Sequence, residues 1–508
     1  MISTFTGIIR QGTDRHPDFG AGSNLPLGLM RIYRSAQEKN LTPLAVQKSS
    51  LDRAGQGNLA FDMRLGNWPT AGSFRNEPDR RLHPKTFPHG CGACAAAQRF
   101  AAGISMISKD FLKSGHSPTL VSAFLYFDMS FMVWVLLGAL GVQIANDLGL
   151  SPAQKGFMVA VPILTGAVLR IVAGVMVDRI GPKTTGAIAQ AIVISGLLLA
   201  FVLKIDSYTG VLMLAGVLGV AGASFAVALP LASRWYPPQY QGVALGIAGA
   251  GNSGTVFASL FAPSLAKAFG WTTVFGFAAL PLIAAFIFYL LFAKDAPDPP
   301  APKRLDQYFA VLKQQDAWWF LLFYGVSFGG FVGLSSSLNI YFNTEYGLDP
   351  IKAGFFTAAC VFAGSLFRPV GGSVADKIGG IRTLSIMYIV AAITLTIISF
   401  RLPNAFTALL FLIVGMGALG MANGAVFQLV PQRFRAEIGV MTGLVGMFGG
   451  IGGFYLATSL GLSKQALGSY QPGLIGFAVL ALIAYGGLTL IKRRWRTTWG
   501  GVLENVRI

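Results

Sequence analysis

From Thr119 onward the chain alternates long apolar runs with short polar breaks. A run of about 20 apolar residues is what a helix needs to cross a hydrocarbon core about 30 Å thick. Twelve such runs are read, at about 119–141, 154–177, 185–203, 209–233, 241–265, 272–293, 317–342, 351–374, 383–400, 405–430, 437–461 and 470–491. The pattern predicts an all-α membrane protein of twelve transmembrane helices. The break after the sixth run is different in kind: Lys294-Asp295-Ala-Pro-Asp-Pro-Pro-Ala-Pro-Lys303-Arg304 is a polar, Pro-rich linker. It divides the chain into an N-terminal six-helix bundle (113–293), a cytoplasmic linker (294–316), a C-terminal six-helix bundle (317–491) and a cytoplasmic tail (492–508).

Residues 1–112 carry no sustained apolar period and are rich in Arg, Pro, Gly, Asn and Asp, so they read as a polar, disordered extension. No apolar run follows Met1, so no secretory signal is expected. His83, His89, Cys91 and Cys94 are too tightly spaced, and too poorly supported by a surrounding fold, to read as a zinc site. A translation start at Met106, just ahead of the first run, is a second reading of this leader.

The charges inside the apolar runs are few and repeated. Leu169-Arg170 precedes Gly174-Val-Met-Val-Asp178-Arg179-Ile-Gly181-Pro-Lys183, and Phe367-Arg368 precedes Gly372-Ser-Val-Ala-Asp376-Lys377-Ile-Gly379-Gly-Ile-Arg382. Arg170 to Arg368 is 198 residues, and so is Asp178 to Asp376. Equal offsets at two charged positions mark an internal repeat and two pseudo-symmetric halves. With Asp178 at a helix end, Arg170 lies about 12 Å inside the membrane, at a rise of about 1.5 Å per residue. A guanidinium near the midplane costs at least about 2.5–3.5 kcal/mol, so a matched pair reads as an anion site facing inward, with snorkelling to the interface or an ion pair with a buried carboxylate as the alternatives.

Composition narrows the classes. The chain is 53% hydrophobic and 12% charged with a mean hydropathy of +0.59, outside the range of a soluble domain. The net charge of +18 does not indicate nucleic acid, because the basic residues fall in the leader and between the spans. One side collects Arg179, Lys183, Arg234, Lys294, Lys303, Arg304, Lys313, Lys377, Arg382, Arg433, Arg435 and the tail Lys492-Arg493-Arg494-Trp-Arg496, while the other has Lys155, Lys204, Lys267, Lys352, Arg401 and Lys464. This bias places both termini in the cytoplasm, and the membrane expected is the cytoplasmic (inner) one. All four histidines precede the spans, and only Cys360 lies within them, so no cofactor or metal is expected and a membrane enzyme lacks candidate residues.

Gly174-x-x-x-Asp178-Arg179-x-Gly181-x-Lys183 resembles the loop motif of the major facilitator superfamily, with a degenerate copy at Gly372 to Arg382. The runs Gly246-Ile-Ala-Gly249-Ala-Gly251-Asn252-Ser-Gly254 and Gly443-Leu-Val-Gly446-Met-Phe-Gly449-Gly450-Ile-Gly452-Gly453 are similar to the paired Gly-rich signatures of its nitrate/nitrite porter family. The resemblance covers about residues 119–491. It implies the major facilitator fold and carriage of nitrate and nitrite by alternating access. Carried over residue by residue, it implies an anion held by Arg170, Arg368 and Asn252, with Phe131, Phe225, Tyr324 and Phe328 as aromatic walls. In the second signature Gly446 stands where some relatives are expected to carry a hydroxyl.

The residue chemistry agrees with that implication. A planar guanidinium can meet two oxygens of a small planar anion side by side. Two arginines about 8 Å apart at an effective dielectric near 20 repel by roughly 2 kcal/mol, which one monoanion relieves. Pairs at Gly-x-x-x-Gly spacing (Gly242/Gly246, Gly446/Gly450, Gly449/Gly453) let helices approach closely. Asn423 lies 198 residues after Phe225 and is a further candidate for the anion, with a bond to a neighbouring helix as the equal alternative. Asp178, Arg179, Asp376 and Arg382 read as latches between helices near the cytoplasmic gate. Asp128, in the first span, is a candidate proton site, with a structural ion pair as the alternative. Coupling is open between proton-linked nitrate uptake and nitrate/nitrite exchange. The rivals are a carrier of another small anion and, more remotely, a membrane nitrate sensor.

Overall fold

The computed structural model describes residues 109–297, 310–434 and 437–499. The readings made on the leader (His83, His89, Cys91, Cys94, Met106), most of the Pro-rich linker and the end of the tail lie outside them. The described chain is helical throughout. Eleven helices are long and apolar enough to cross a membrane: Pro152–Ile180, Pro182–Leu203, Tyr208–Ser233, Val243–Phe269, Trp271–Phe292, Gln315–Tyr346, Pro350–Ile378, Gly380–Ser399, Ala405–Arg433, Ile438–Leu467 and Gln471–Thr497. The twelfth rod, first in the chain, is split into Ser117–Trp134, Leu136–Ala139 and Gly141–Asp147.

Local chemistry sets the ends. The second span opens on a capping box, Ser151 with Gln154, and has Pro152 at its first turn. Its last residue meets Gly181 at φ 83°, and the repeat-related Gly379 has φ 98°. A side chain is strained there, which explains glycine at both positions of the loop motif. Three expected spans are interrupted. Besides the first, the fourth breaks between Gly222 and Phe225, and the fifth passes through a 3-10 turn at Ala250–Ser253. The tenth and eleventh spans, their repeat mates, run unbroken.

Ion pairs and hydrogen bonds locate the two faces. On the basic face, Asp178 at the end of the second span accepts from Arg234 at the end of the fourth (2.9 Å). In the second half Asp316 accepts from Arg433 (2.6 Å), Arg494 and Trp495 Nε1 (2.9 Å). Each of these bonds stays within one half. On the opposite face the bonds cross between halves: Lys267 pairs with Asp349 (3.9 Å), and the Ala153 amide donates to Gln465 (3.0 Å).

The halves meet along the second and eleventh spans, the fifth and eighth, and the first and seventh. The close approaches lie toward the opposite face. A Cβ on Gly156 would come 2.8 Å from Gly461 Cα, and one on Gly354 2.5 Å from the Ser259 carbonyl. Toward the basic face, a Cβ on Gly246, Gly249, Gly439 or Gly443 would meet open space. Gly246 therefore does not make the close helix contact that its spacing predicts, whereas Gly450 and Gly453 do. This conformation is closed on the opposite face.

Candidate functional site

Arg170 projects from the middle of the second span and is 1% exposed. Its Nε donates to the Gly222 carbonyl (3.1 Å) and its Nη1 to the Gly446 carbonyl of the other half. The break in the fourth span makes the first bond available. The Ala226 amide turns to the Ala223 carbonyl (3.0 Å) instead of closing a regular helical bond on Gly222. Three rings surround the guanidinium: Phe328 at 5.1 Å, Trp134 at 5.4 Å and Phe225 at 5.6 Å from ring centre to Cζ. Such contacts favour a cation most where water is excluded.

Arg368 projects from the eighth span across from it. Its Nη2 lies 3.5 Å from the Tyr324 hydroxyl, and its Cζ is 5.7 Å from the Phe225 ring and 5.5 Å from Phe427. Phe225 is thus shared: both guanidinium carbons stand within 6 Å of one ring. Among the described residues neither arginine pairs with a carboxylate. Arg170 Nη2 and Arg368 Nη1 are buried without a hydrogen-bond partner. In a site closed to water, two unmet charged donors are costly unless something supplies acceptor atoms.

Tyr324 and Phe328 stack at 5.1 Å with planes 5° apart, and Phe427 stands edge-on to Tyr324 and to Phe225. Gly449 makes room for this stack, since a Cβ there would lie 2.7 Å from Tyr324 and 2.8 Å from Phe328. Phe131 is one layer back, against Phe127 (4.3 Å) and Trp134 (4.8 Å), and Trp134 takes the place beside Arg170.

Asn252 and Asn423 are each 1% exposed with an unpartnered Oδ1, and neither is bonded to an arginine. Asn252 offers its carbonyl to Ser365 Oγ (3.4 Å), three residues before Arg368. Asn423 lies one helical turn before Phe427 and next to Gly424, whose Cβ would fall on the Arg368 carbonyl. Asp128 is 3% exposed and accepts from Ser253 Oγ (2.7 Å). Of the four residues read as latches, Asp178 is in an ion pair; Arg179, Asp376 and Arg382 are exposed and form none among the described residues.

Trp134, Phe427 and the Gly222 and Gly446 carbonyls were not read from the sequence. A signal existed for the two rings, each a helical turn beyond a residue already singled out (Phe131, Asn423). None exists for a backbone carbonyl.

The sequence signature of the Major Facilitator Superfamily matches residues 122–457. The nitrite extrusion protein of Bacillus subtilis is 32% identical over 367 residues, 71% of this chain and 90% of its own length. The chain belongs to the Major Facilitator Superfamily, in its nitrate/nitrite porter family.

Another relative of the porter is the probable nitrate/nitrite transporter NarK2 of Mycobacterium tuberculosis, 32% identical over 73% of this chain and 95% of its own. Among solved structures, a bacterial homolog of the human lysosomal transporter Spinster, in an inward-facing and occupied conformation, aligns with a TM-score of 0.57 at 18% identity. That alignment covers 76% of this chain and 98% of the other, and it shows the fold alone. The porter is a multi-pass membrane transporter and not an enzyme.

Proposed function

We propose that this porter carries nitrate and nitrite across the cytoplasmic membrane by alternating access, with the anion held between Arg170 and Arg368. The observation that carries the reading is the pair of buried, unpartnered guanidinium nitrogens on two arginines that share the Phe225 ring. The names of the relatives support the same substrates.

The geometry refines how the anion is held. Arg170 spends Nε and Nη1 on carbonyls, so one of its nitrogens is free, and Arg368 likewise offers one. A flat anion with two or three oxygens then bridges the halves by one charge-assisted bond to each side. On this reading the buried Asn252 and Asn423 amides, one in each half, complete its shell. An occupant that touches both halves binds the closed arrangement better than the open one, as a transport cycle requires. The rings exclude water and give no hydrogen bonds that a larger, more polar solute needs.

The excess of Lys and Arg on the basic face puts that face, and both termini, in the cytoplasm. The conformation described is then closed to the outside. The six-helix halves, joined by the linker at 294–316, rock about the arginine pair, with Asp178, Arg179, Asp376 and Arg382 at the cytoplasmic side of the gate.

Counterflow of labelled nitrate in proteoliposomes tests the reading. Excess unlabelled nitrate or nitrite inside is expected to drive it, and Arg170→Lys or Arg368→Lys to abolish it with expression intact. A lysine's three donors radiate from a single nitrogen, so it lacks the planar fork that reaches carbonyls on two helices and still presents an N–H to an anion. Counterflow driven by a carboxylate but not by nitrate would transfer the reading to another small anion, and full activity in either variant would overturn the arginine site.

A further inference from the structure

A second buried charge lies close to the arginine site and is not used by it. Asp128 sits at the middle of the first span, where the fifth span is broken. Its carboxylate accepts from Ser253 Oγ and from the Gly254 amide, the first amide of the helix that resumes after the 3-10 turn. A Cβ on Gly254 would fall on the Asp128 carbonyl, so the two backbones are in direct contact.

Among the described residues no cation reaches this carboxylate. The titratable groups on the elements packed around it are otherwise engaged. Tyr126 of its own span faces Tyr289 of the sixth (5.0 Å), which donates to the Pro182 carbonyl. On the fourth span Tyr208 donates to the Gln154 carbonyl, and Arg234 at its end pairs with Asp178. On the fifth, Tyr240 lies edge-on to Phe111, and Lys267 pairs with Asp349. On the eighth, behind the 3-10 turn, Arg368 meets Tyr324, while Lys352, Asp376 and Lys377 are exposed near its ends. Two neutral donors are a thin shell for an ionised carboxylate out of water, so its protonation state and the geometry of the break depend on each other.

Two connections lead from Asp128 to the anion. Phe127, its neighbour, packs on Phe225 at 5.8 Å, the ring shared by both arginines. Asn252, adjacent to Ser253, accepts from Ser365 on the helix of Arg368 in the other half.

We propose that Asp128 is the proton-carrying residue of this porter and couples nitrate entry to proton entry through the break in the fifth span. The proposal rests on the anion-carrier reading above. A proton taken from the outer face converts the carboxylate to a neutral acid, which releases its hold on Ser253 and Gly254. The fifth span can then move with the eighth, and the proton leaves to the cytoplasm once the carrier opens there. One proton and one nitrate cross together, with no other reactant.

The test uses the full chain in proteoliposomes with an imposed pH gradient, acid on the side of the labelled nitrate. Accumulation by the wild type should rise with the gradient, fall to the no-gradient level in Asp128→Asn, and return in Asp128→Glu. Ser253→Ala should displace the midpoint of the pH profile, whereas a merely structural serine would lower the rate equally at every pH. Gradient-driven accumulation by Asp128→Asn at the wild-type level would overturn the proposal, as would a wild type indifferent to the gradient. If Asp128→Asn lacks all counterflow, the pH midpoints of Asp128→Glu and Ser253→Ala decide: both unchanged overturns the proposal, and either displaced supports it. Failure of the anion reading is separate, because the wild type would then show no nitrate counterflow at any pH.

Discussion

Arg170 of the first half donates through Nη1 to the Gly446 carbonyl of the second. One side chain therefore reaches from the first half to the backbone of the second. The bond needs a residue at 446 that lets the guanidinium reach the backbone. A Cβ there would sit 3.4 Å from Arg170 Cδ and Nη1 and 3.6 Å from Phe225, which is ordinary contact.

Gly446→Ala is therefore expected to transport nitrate at near wild-type affinity, and Gly446→Val, whose branches occupy the guanidinium's place, to lose it. A loss of about tenfold in apparent affinity corresponds to about 1.4 kcal/mol. Nitrate dependence of counterflow in the two variants measures it, and equal behaviour of Ala and Val would show that the contact does not matter.

Gly254 and Gly452 occupy repeat-related positions, and each abuts backbone: a Cβ would fall on the Asp128 carbonyl or on the Gly325 carbonyl. Backbone cannot rotate away as a side chain can. Gly254→Ala and Gly452→Ala should each destabilise by about 1–3 kcal/mol or more, the usual cost of overpacking. Gly246→Ala, facing open space, should be neutral. Thermal unfolding in detergent distinguishes them.

Asp316 fastens the start of the seventh span to the ends of the tenth and twelfth, through Arg433, Arg494 and Trp495. It is distant in role from the arginine pair. Asp316→Asn keeps the shape but removes the charge, and with Arg494 nearly half exposed the cost should be about 2 kcal/mol, within the range for hydrogen bonds to charged groups. The melting temperature should fall while the nitrate concentration dependence stays unchanged.

His116 caps the first span: its Nδ1 accepts from the Thr119 amide (3.2 Å), and its ring lies 5.0 Å from Trp235. Burial, with Lys294 nearby as a lesser cause, holds it below the ordinary imidazole value of 6.5. The folded protein thus prefers neutral His116, and the unfolded chain takes up the proton first as pH falls. Its stabilisation is fully present above 6.5 and is lost as pH drops through the lowered native value. Melting temperature should fall as the pH drops from 6.5 through that lowered value, and His116→Ala, which loses about 1 kcal/mol of capping, should flatten that dependence.

Much of this protein was legible in one dimension. The bilayer demands long apolar helices, so hydropathy alone gave the spans to within a few residues. Arg170 and Arg368 could be singled out because a charge at that depth is expensive wherever the helix packs. The offset of 198 residues made them a pair, and Gly181 and Gly379, at the same offset, share a positive φ. Tertiary structure decided what a linear pattern cannot encode. Which nitrogens of Arg170 remain free depends on the Gly222 and Gly446 carbonyls, and every residue has a carbonyl. That Trp134 rather than Phe131 meets the guanidinium is a matter of helix rotation. Asp128 finds a hydroxyl and an amide rather than a cation because the fifth span breaks beside it. Desolvation cost is a property of residue type and depth, which sequence carries; the partners that offset it are a property of approach between helices far apart in the chain.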